Sequence, residues 1–255
     1  MIAYTPEIAS LLLKGLGLTL ILILLTSAAA LGLGLSVGWL KMSASPVARG
    51  LGTIYVEVFR NIPALVSIVF WAYALPNAFN PEIRRALFFD NSLMNGLSGL
   101  TGLTIPYYAL AAALGLTLNT GAYIAELFRA GVSTLAREHW EAARALGASP
   151  IRAFWNILLP HGLRAASPAL ITRLIHNLKN TALASFVAVP ELFKAVQTSI
   201  SRSFYAVELL LLASAMYWAL SFVFAWLLRH VLPAARSTPH RFVGNLSGVE
   251  RQLWF

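Results

Sequence analysis

Four stretches of the chain contain no Asp, Glu, Lys or Arg: Gly15–Trp39, Ile62–Phe79, Ile105–Ala125 and Leu209–Leu228. Each is close to or above the roughly 20 apolar residues that a helix needs to cross a hydrocarbon core about 30 Å thick. A fifth apolar stretch, residues 165–190, is interrupted by Arg173, His176 and Lys179. The runs are continuous and do not alternate with period two, which excludes a closed β-barrel. The pattern therefore predicts an all-α polytopic membrane protein of about five transmembrane helices. It forms one domain over residues 1–255, with a core over about 15–230. Ala28-Ala29-Ala30 imitates a signal-peptidase site, but the apolar run continues through Leu40, so the first span is expected to stay uncleaved.

Composition agrees with this reading. Hydrophobic residues make up 58% of the chain and charged residues 11%, less than half of the roughly 25% found in soluble domains. The net charge of +9 would otherwise invite a nucleic-acid reading, but its distribution is that of a topology signal. Lys41, Arg49 and Arg60 lie between spans one and two. Arg129, Arg137, Arg144, Arg152 and Arg164 lie between three and four, and Arg229, Arg236, Arg241 and Arg251 follow span five. These twelve face the five of the opposite side, Lys14, Arg84, Arg85, Lys194 and Arg202. The richer side is expected to be cytoplasmic, which puts the N-terminus outside and the C-terminus inside. No nucleic-acid partner is implied, and membrane lipid is.

The sequence has no Gly-x-x-x-x-Gly-Lys-Ser/Thr loop, so the chain is not expected to hydrolyse ATP itself. It also lacks His-Glu-x-x-His and Gly-x-Ser-x-Gly, and its five His do not fall at metal-ligand spacing. No catalytic residue, metal or cofactor is expected. The absence of cysteine excludes disulfides.

The segment between spans three and four, residues 129–164, reads as two short helices. Glu138–Leu146 is rich in helix formers, and Gly147 suits the left-handed residue that ends a helix. Ser149 is a natural N-cap with Pro150 behind it, and Ile151, Phe154, Trp155 and Leu158 form one apolar face. Pro160 is expected to end this second helix. Composition alone leaves two roles open, an interfacial hairpin lying on the headgroups or a docking element for a soluble partner.

Glu141-Ala142-Ala143, then Gly147, then Ile157-Leu158-Leu159-Pro160 resembles the EAA loop of ATP-binding-cassette (ABC) importer permeases. Three further segments narrow the resemblance to the polar amino-acid branch, the histidine, glutamine and glutamate type. They are Tyr55–Pro63, with its Glu57-Val58-Phe59-Arg60-Asn61-Ile62-Pro63, Gly121–Gly131, and Leu178-Lys179-Asn180-Thr181-Ala182-Leu183-Ala184-Ser185. Together the matches run from about Gly15 to about Leu228. Asn180 is closer to the glutamate/aspartate and general amino-acid permeases. Glu138-His139 departs from the usual Gly-Gln, and the tail 233–255 has no assigned role.

The resemblance implies a permease subunit in the bacterial inner membrane, moving polar amino acids into the cytoplasm by ATP-driven alternating access. Its implied partners are a second permease, identical or a sister chain, an ABC ATPase dimer and an extracytoplasmic substrate-binding protein. Glu141, Ala142, Ala143, Gly147 and Pro160 are the residues it implies for coupling to the ATPase. A rival function is an ion-coupled secondary amino-acid carrier, against which stand the low span count and the lack of a visible inverted repeat.

Ionisable groups within a span cost a few kcal/mol and normally face a polar cavity or a partner. Arg173, His176, Asn180 and Thr181 make a polar stripe through span four and are, with Glu126, the candidate substrate-binding residues. Lys179 reads better as a structural contact between subunits. Related permeases commonly carry an acidic or neutral residue at the position of Arg173, whereas a guanidinium favours a carboxylate. An acidic substrate, glutamate or aspartate, follows from that reading. Alternatively, Arg173 pairs with Glu126 or with a partner's acid. Glu57 and Glu126 are expected to bridge to Arg60 or Arg129, and Gly34 and Gly38 form a small-residue packing step.

Overall fold

The computed structural model describes residues 6–89, 96, 99, 106–134, 141, 143, 145 and 147–232. Among them the fold is all-α, as the apolar pattern required. Helix α1 spans Pro6–Lys41, α2 Pro46–Asn61, α3 Ala64–Asn77, α4 Pro81–Arg84 and α5 Tyr107–Ser133. Helix α6 is the short Pro150–Ala153, and α7 follows at Leu159–Asn180. Helix α8 spans Leu192–Ser203 and α9 Ala206–Val231. Three of these, α1, α5 and α9, are long and apolar enough to cross a membrane alone, and α2 with α3 qualify together as a bent pair.

Helix α5 is the centre of the bundle. In its apolar window 67% of the residues are buried, against 17% in α9, which leaves α9 the more lipid-exposed wall. Close approach of α1 to α5 depends on glycine. A methyl at Gly34 would lie 2.6 Å from the Ile124 side chain and 2.7 Å from the Gly121 carbonyl. Gly38 meets Phe128 and Ala125 in the same way. Ile23, Ala30, Ile124, Leu170, Leu174 and Leu178 then fill the space shared by α1, α5 and α7.

Prolines shape the remaining elements, each because it lacks an N–H and crowds the carbonyl four residues back. Pro63 breaks the α2–α3 pair, Ile62 takes an extended conformation, and the two helices diverge by 103°. Before Pro76 and Pro160 the chain widens instead of breaking. Leu75 N–H bonds to Phe70 O and Leu159 N–H to Phe154 O, five residues back, in π turns at Phe70–Ala74 and Phe154–Leu158.

Pro160 thus does not end the helix that starts at Pro150. The π turn lets the helical path continue into α7, so Pro160 lies in the first turn of that helix. The fourth span is shifted toward the N-terminus relative to residues 165–190. It ends at Asn180, tightens to a 3-10 helix over Thr181–Val187 and stops at Ala188, whose φ is 62°. Inside α7, Pro168 cannot bond Arg164 O, and Ser167 Oγ takes that carbonyl at 3.0 Å.

Candidate translocation site at the helix break

A helix that stops inside a membrane leaves carbonyls needing donors. At the end of α2 the donors come from one face of α5. Asn119 Nδ2 donates to Phe59 O at 2.8 Å and to Ile62 O at 3.2 Å. Phe59 O is the acceptor that an N–H at position 63 would have used had that residue not been proline. One turn further along α5, Tyr123 Oη donates to Arg60 O at 3.3 Å. Tyr55 returns the contact, donating to Leu118 O at 2.8 Å.

The same face receives Arg173 from α7. Its Nη2 donates to Asn119 Oδ1 at 2.6 Å and to Thr120 Oγ1 at 3.1 Å, and its guanidinium carbon lies 3.9 Å from the centroid of the Tyr123 ring. An amide, a hydroxyl and an aromatic face are its partners. The expected alternative partner Glu126 is engaged elsewhere, by Lys41 Nζ at 2.7 Å and Arg129 Nε at 3.0 Å. Glu126 thereby ties the end of α1 to α5, and its ion pair with Arg129 is the one expected from their spacing.

Arg173 and Tyr123 stand where two open recesses meet. One, of about 470 Å³, is lined by Arg60, Asn61, Asn119, Tyr123, Arg173 and Asn180 among others. The other, of about 520 Å³, is lined by Tyr123, Ala169, Thr172, Arg173 and His176. Of the five candidate substrate residues, Arg173, His176 and Asn180 are therefore brought together. Thr181 and Glu126 line neither recess; Thr181 is buried, and its hydroxyl donates to Leu178 O at 2.7 Å. Lys179 is exposed on α7.

Behind Arg173 a buried polar relay crosses the bundle. Thr120 Oγ1 donates to Asn177 Oδ1 at 3.0 Å, and Asn177 Nδ2 donates to Thr26 Oγ1 at 2.9 Å, linking α5, α7 and α1. Asn119, Thr120, Tyr123 and Asn177 were not singled out in the sequence. Polar groups in otherwise apolar spans were the available signal, with Asn119 and Tyr123 four residues apart on one helix face. Among the described residues no group of His, Asp and Glu side chains could hold a metal.

In the segment before α6, two of the local features read from the sequence are present, the helix-ending glycine and the serine cap. Gly147 has φ of 79°, and Ala148 N–H bonds to Ala143 O at 3.1 Å across the helix end. Ser149 Oγ accepts from Arg152 N at 3.4 Å, as an N-cap should. Glu141 and Ala143 are helical, Ala143 buried and Glu141 exposed. Ala142, together with Glu138, His139 and the tail 233–255, lies outside the described residues.

Residues 30–237 match the family described as the binding-protein-dependent transport system inner membrane component, and the chain belongs to it. It is the membrane-spanning permease of an ABC importer for amino acids. That class does not favour the ion-coupled carrier. Among its relatives is the probable amino-acid permease YxeN of Bacillus subtilis, 32% identical over 77% of this chain and 78% of that protein. The glutamine permease GlnP of Escherichia coli is 29% identical over 76% of this chain and 78% of that one. In structure the chain is similar to a chain in the crystal structure of an amino acid ABC transporter with histidines. That match has a TM-score of 0.65 and 26% identity, covering 88% of this chain and 94% of the other.

Proposed function

We propose that this permease carries acidic amino acids, glutamate or aspartate, into the cytoplasm, with Arg173 receiving a substrate carboxylate. The observation that carries the reading is the company Arg173 keeps. A guanidinium at the junction of two recesses is held by neutral partners alone among the described residues, so its charge remains available for an anion. Asn119 and Thr120 orient the guanidinium, and Tyr123 supports it by a cation–π contact. His176 and Asn180 supply further polar groups to the walls of the two recesses.

In this reading the chain lies with its N-terminus outside and its C-terminus in the cytoplasm. Two permeases, the same or sister chains, work with two ATPases and a substrate-binding protein. The segment of Glu141, Ala142, Ala143 and Gly147 seats in the ATPase, and α6, the π turn before Pro160 and α7 form one continuous helical path from Pro150, next to that seat, to Arg173. Movement of the ATPase is transmitted only if those contacts differ between the inward- and outward-facing states.

The test is ATPase stimulation of the reconstituted complex by binding proteins loaded with glutamate, aspartate, glutamine, histidine or arginine. Stimulation by an acidic amino acid, lost in Arg173→Ala, is the expected result. Stimulation confined to neutral or cationic substrates, or an Arg173→Ala variant with unchanged selectivity, would overturn the acidic assignment. The relative named for glutamine makes the glutamate–glutamine pair the sharpest comparison, since the two differ by one carboxylate.

A further inference from the structure

We propose that Arg60 is the second anion-binding residue of the recess, so that the site is built for a dicarboxylate, one carboxylate at each of two guanidinium groups. This rests on the reading that the recess at Arg173 is the substrate site. Positive charge counting along the sequence assigns Arg60 to the cytoplasmic loop before span two. The fold places it instead at the wall of the recess, on the last turn of α2, because Pro63 stops that helix and Tyr123 fixes the Arg60 carbonyl.

Arg60 and Arg173 share one aromatic ring. Their guanidinium carbons lie 5.4 Å and 3.9 Å from the centroid of Tyr123, within the range of a cation–π contact. Both also carry a buried Nε with no hydrogen-bond partner. Buried donors are ordinarily satisfied, so unsatisfied N–H groups on two arginines that line one recess mark guanidinium groups whose hydrogen bonding is incomplete among the described residues. Beyond the ring, the Arg60 guanidinium makes no hydrogen bond or ion pair among the described residues. The acid nearest to it along α2, Glu57, accepts from Asn61 Nδ2 at 3.3 Å instead.

Two cations against one ring, with no acid paired to either among the described residues, repel each other. A ligand with two carboxylates relieves that repulsion at both ends. A ligand with one carboxylate and a side-chain amide relieves it at one end only, and a cationic amino acid adds a third positive charge. The Asn61 and Asn180 amides, which line the same recess, are neutral groups suited to the remaining polar atoms of the ligand.

The experiment is equilibrium binding of glutamate and of glutamine to the purified permease–ATPase complex, without binding protein, for the wild type, Arg60→Gln and Arg60→Lys. Loss of one charge-assisted contact is expected to weaken glutamate binding by Arg60→Gln roughly 10- to 100-fold. Glutamine binding should change much less, so the preference for the dicarboxylate collapses. Arg60→Lys keeps the charge but not the planar fork and should fall between, which also serves if Arg60→Gln fails to assemble. Equal losses for the two ligands, or no loss for either, overturn the proposal. Arg173→Ala separates the two levels of inference. If it leaves glutamate binding unchanged, or if the wild type binds no glutamate, the substrate-site reading fails and this inference with it. If Arg173 matters and Arg60 does not alter the glutamate–glutamine ratio, only the role of Arg60 is refuted.

Discussion

Replacing Asn119 with alanine removes both hydrogen bonds that its amide gives to the broken end of α2, at 2.8 Å to Phe59 O and 3.2 Å to Ile62 O. The two acceptors are not equivalent. Phe59 O has lost its helical donor to Pro63, whereas Ile62 borders the open recess, where water can replace the amide. A buried acceptor left unpaired costs about 1–3 kcal/mol in soluble proteins. Polar contacts between transmembrane helices have measured closer to about 0.6 kcal/mol on average, with a maximum near 1.7. The sum expected for Asn119→Ala is therefore about 1–3 kcal/mol, read as a lowered unfolding midpoint of the purified complex in lipid–detergent micelles. Asn119→Asp is the informative companion. Its carboxylate still accepts from Arg173 but has no donor for either carbonyl, so it too should destabilise the bend. Wild-type stability in both variants would refute the claim that α5 holds the break closed through this amide.

Three further outcomes follow from the same packing. Gly34→Ala places a methyl against Ile124 and the Gly121 carbonyl and should cost about 1–3 kcal/mol in thermal stability, whereas Ala at Gly17 or Gly32, where nothing lies within 4 Å, should be neutral or slightly stabilising. Glu126→Gln, which dissolves the pairing with Lys41 and Arg129, should lower stability by only about 1 kcal/mol because the side chains keep 24%, 12% and 41% exposure respectively. Glu191 is fully buried and accepts from Phe193 N at 2.9 Å, Lys194 N at 2.8 Å and Tyr217 Oη at 2.9 Å. Glu191→Ala should accordingly cost about 1–3 kcal/mol and loosen α8 from α1 and α9, measured as faster amide exchange in α8.

The residues about Arg173 show how polar groups can occupy apolar helices without destabilising them. Asn119 and Tyr123 line a recess and also serve a structural deficit. Asn119 and Tyr123 complete a helix that proline interrupts, and Asn177 joins three spans through Thr120 and Thr26. The two arginine Nε atoms, by contrast, are buried without a hydrogen-bond partner among the described residues.

Local rules sufficed for much of the protein. Length and apolarity fixed α1, α5 and α9, since a hydrocarbon core admits only helices with their backbone groups paired internally. Gly147 and Ser149 were legible as helix-ending and helix-starting residues because capping depends on near neighbours alone. Pro63, read only as part of a family motif, leaves a donor missing in the same local way. Which distant group would fill that deficit was not legible, because it depends on α5 packing beside α2 with Asn119 and Tyr123 facing the break. The neutral partners of Arg173, the diversion of Glu126 to Lys41 and the placement of Arg60 at a recess are decisions of the same kind. So is the passage of the helix through Pro160, where a widened turn relieves a clash that proline alone would be read as forbidding. A sequence displays which backbone and charged groups need partners; only the packing of remote helices determines which partners they find.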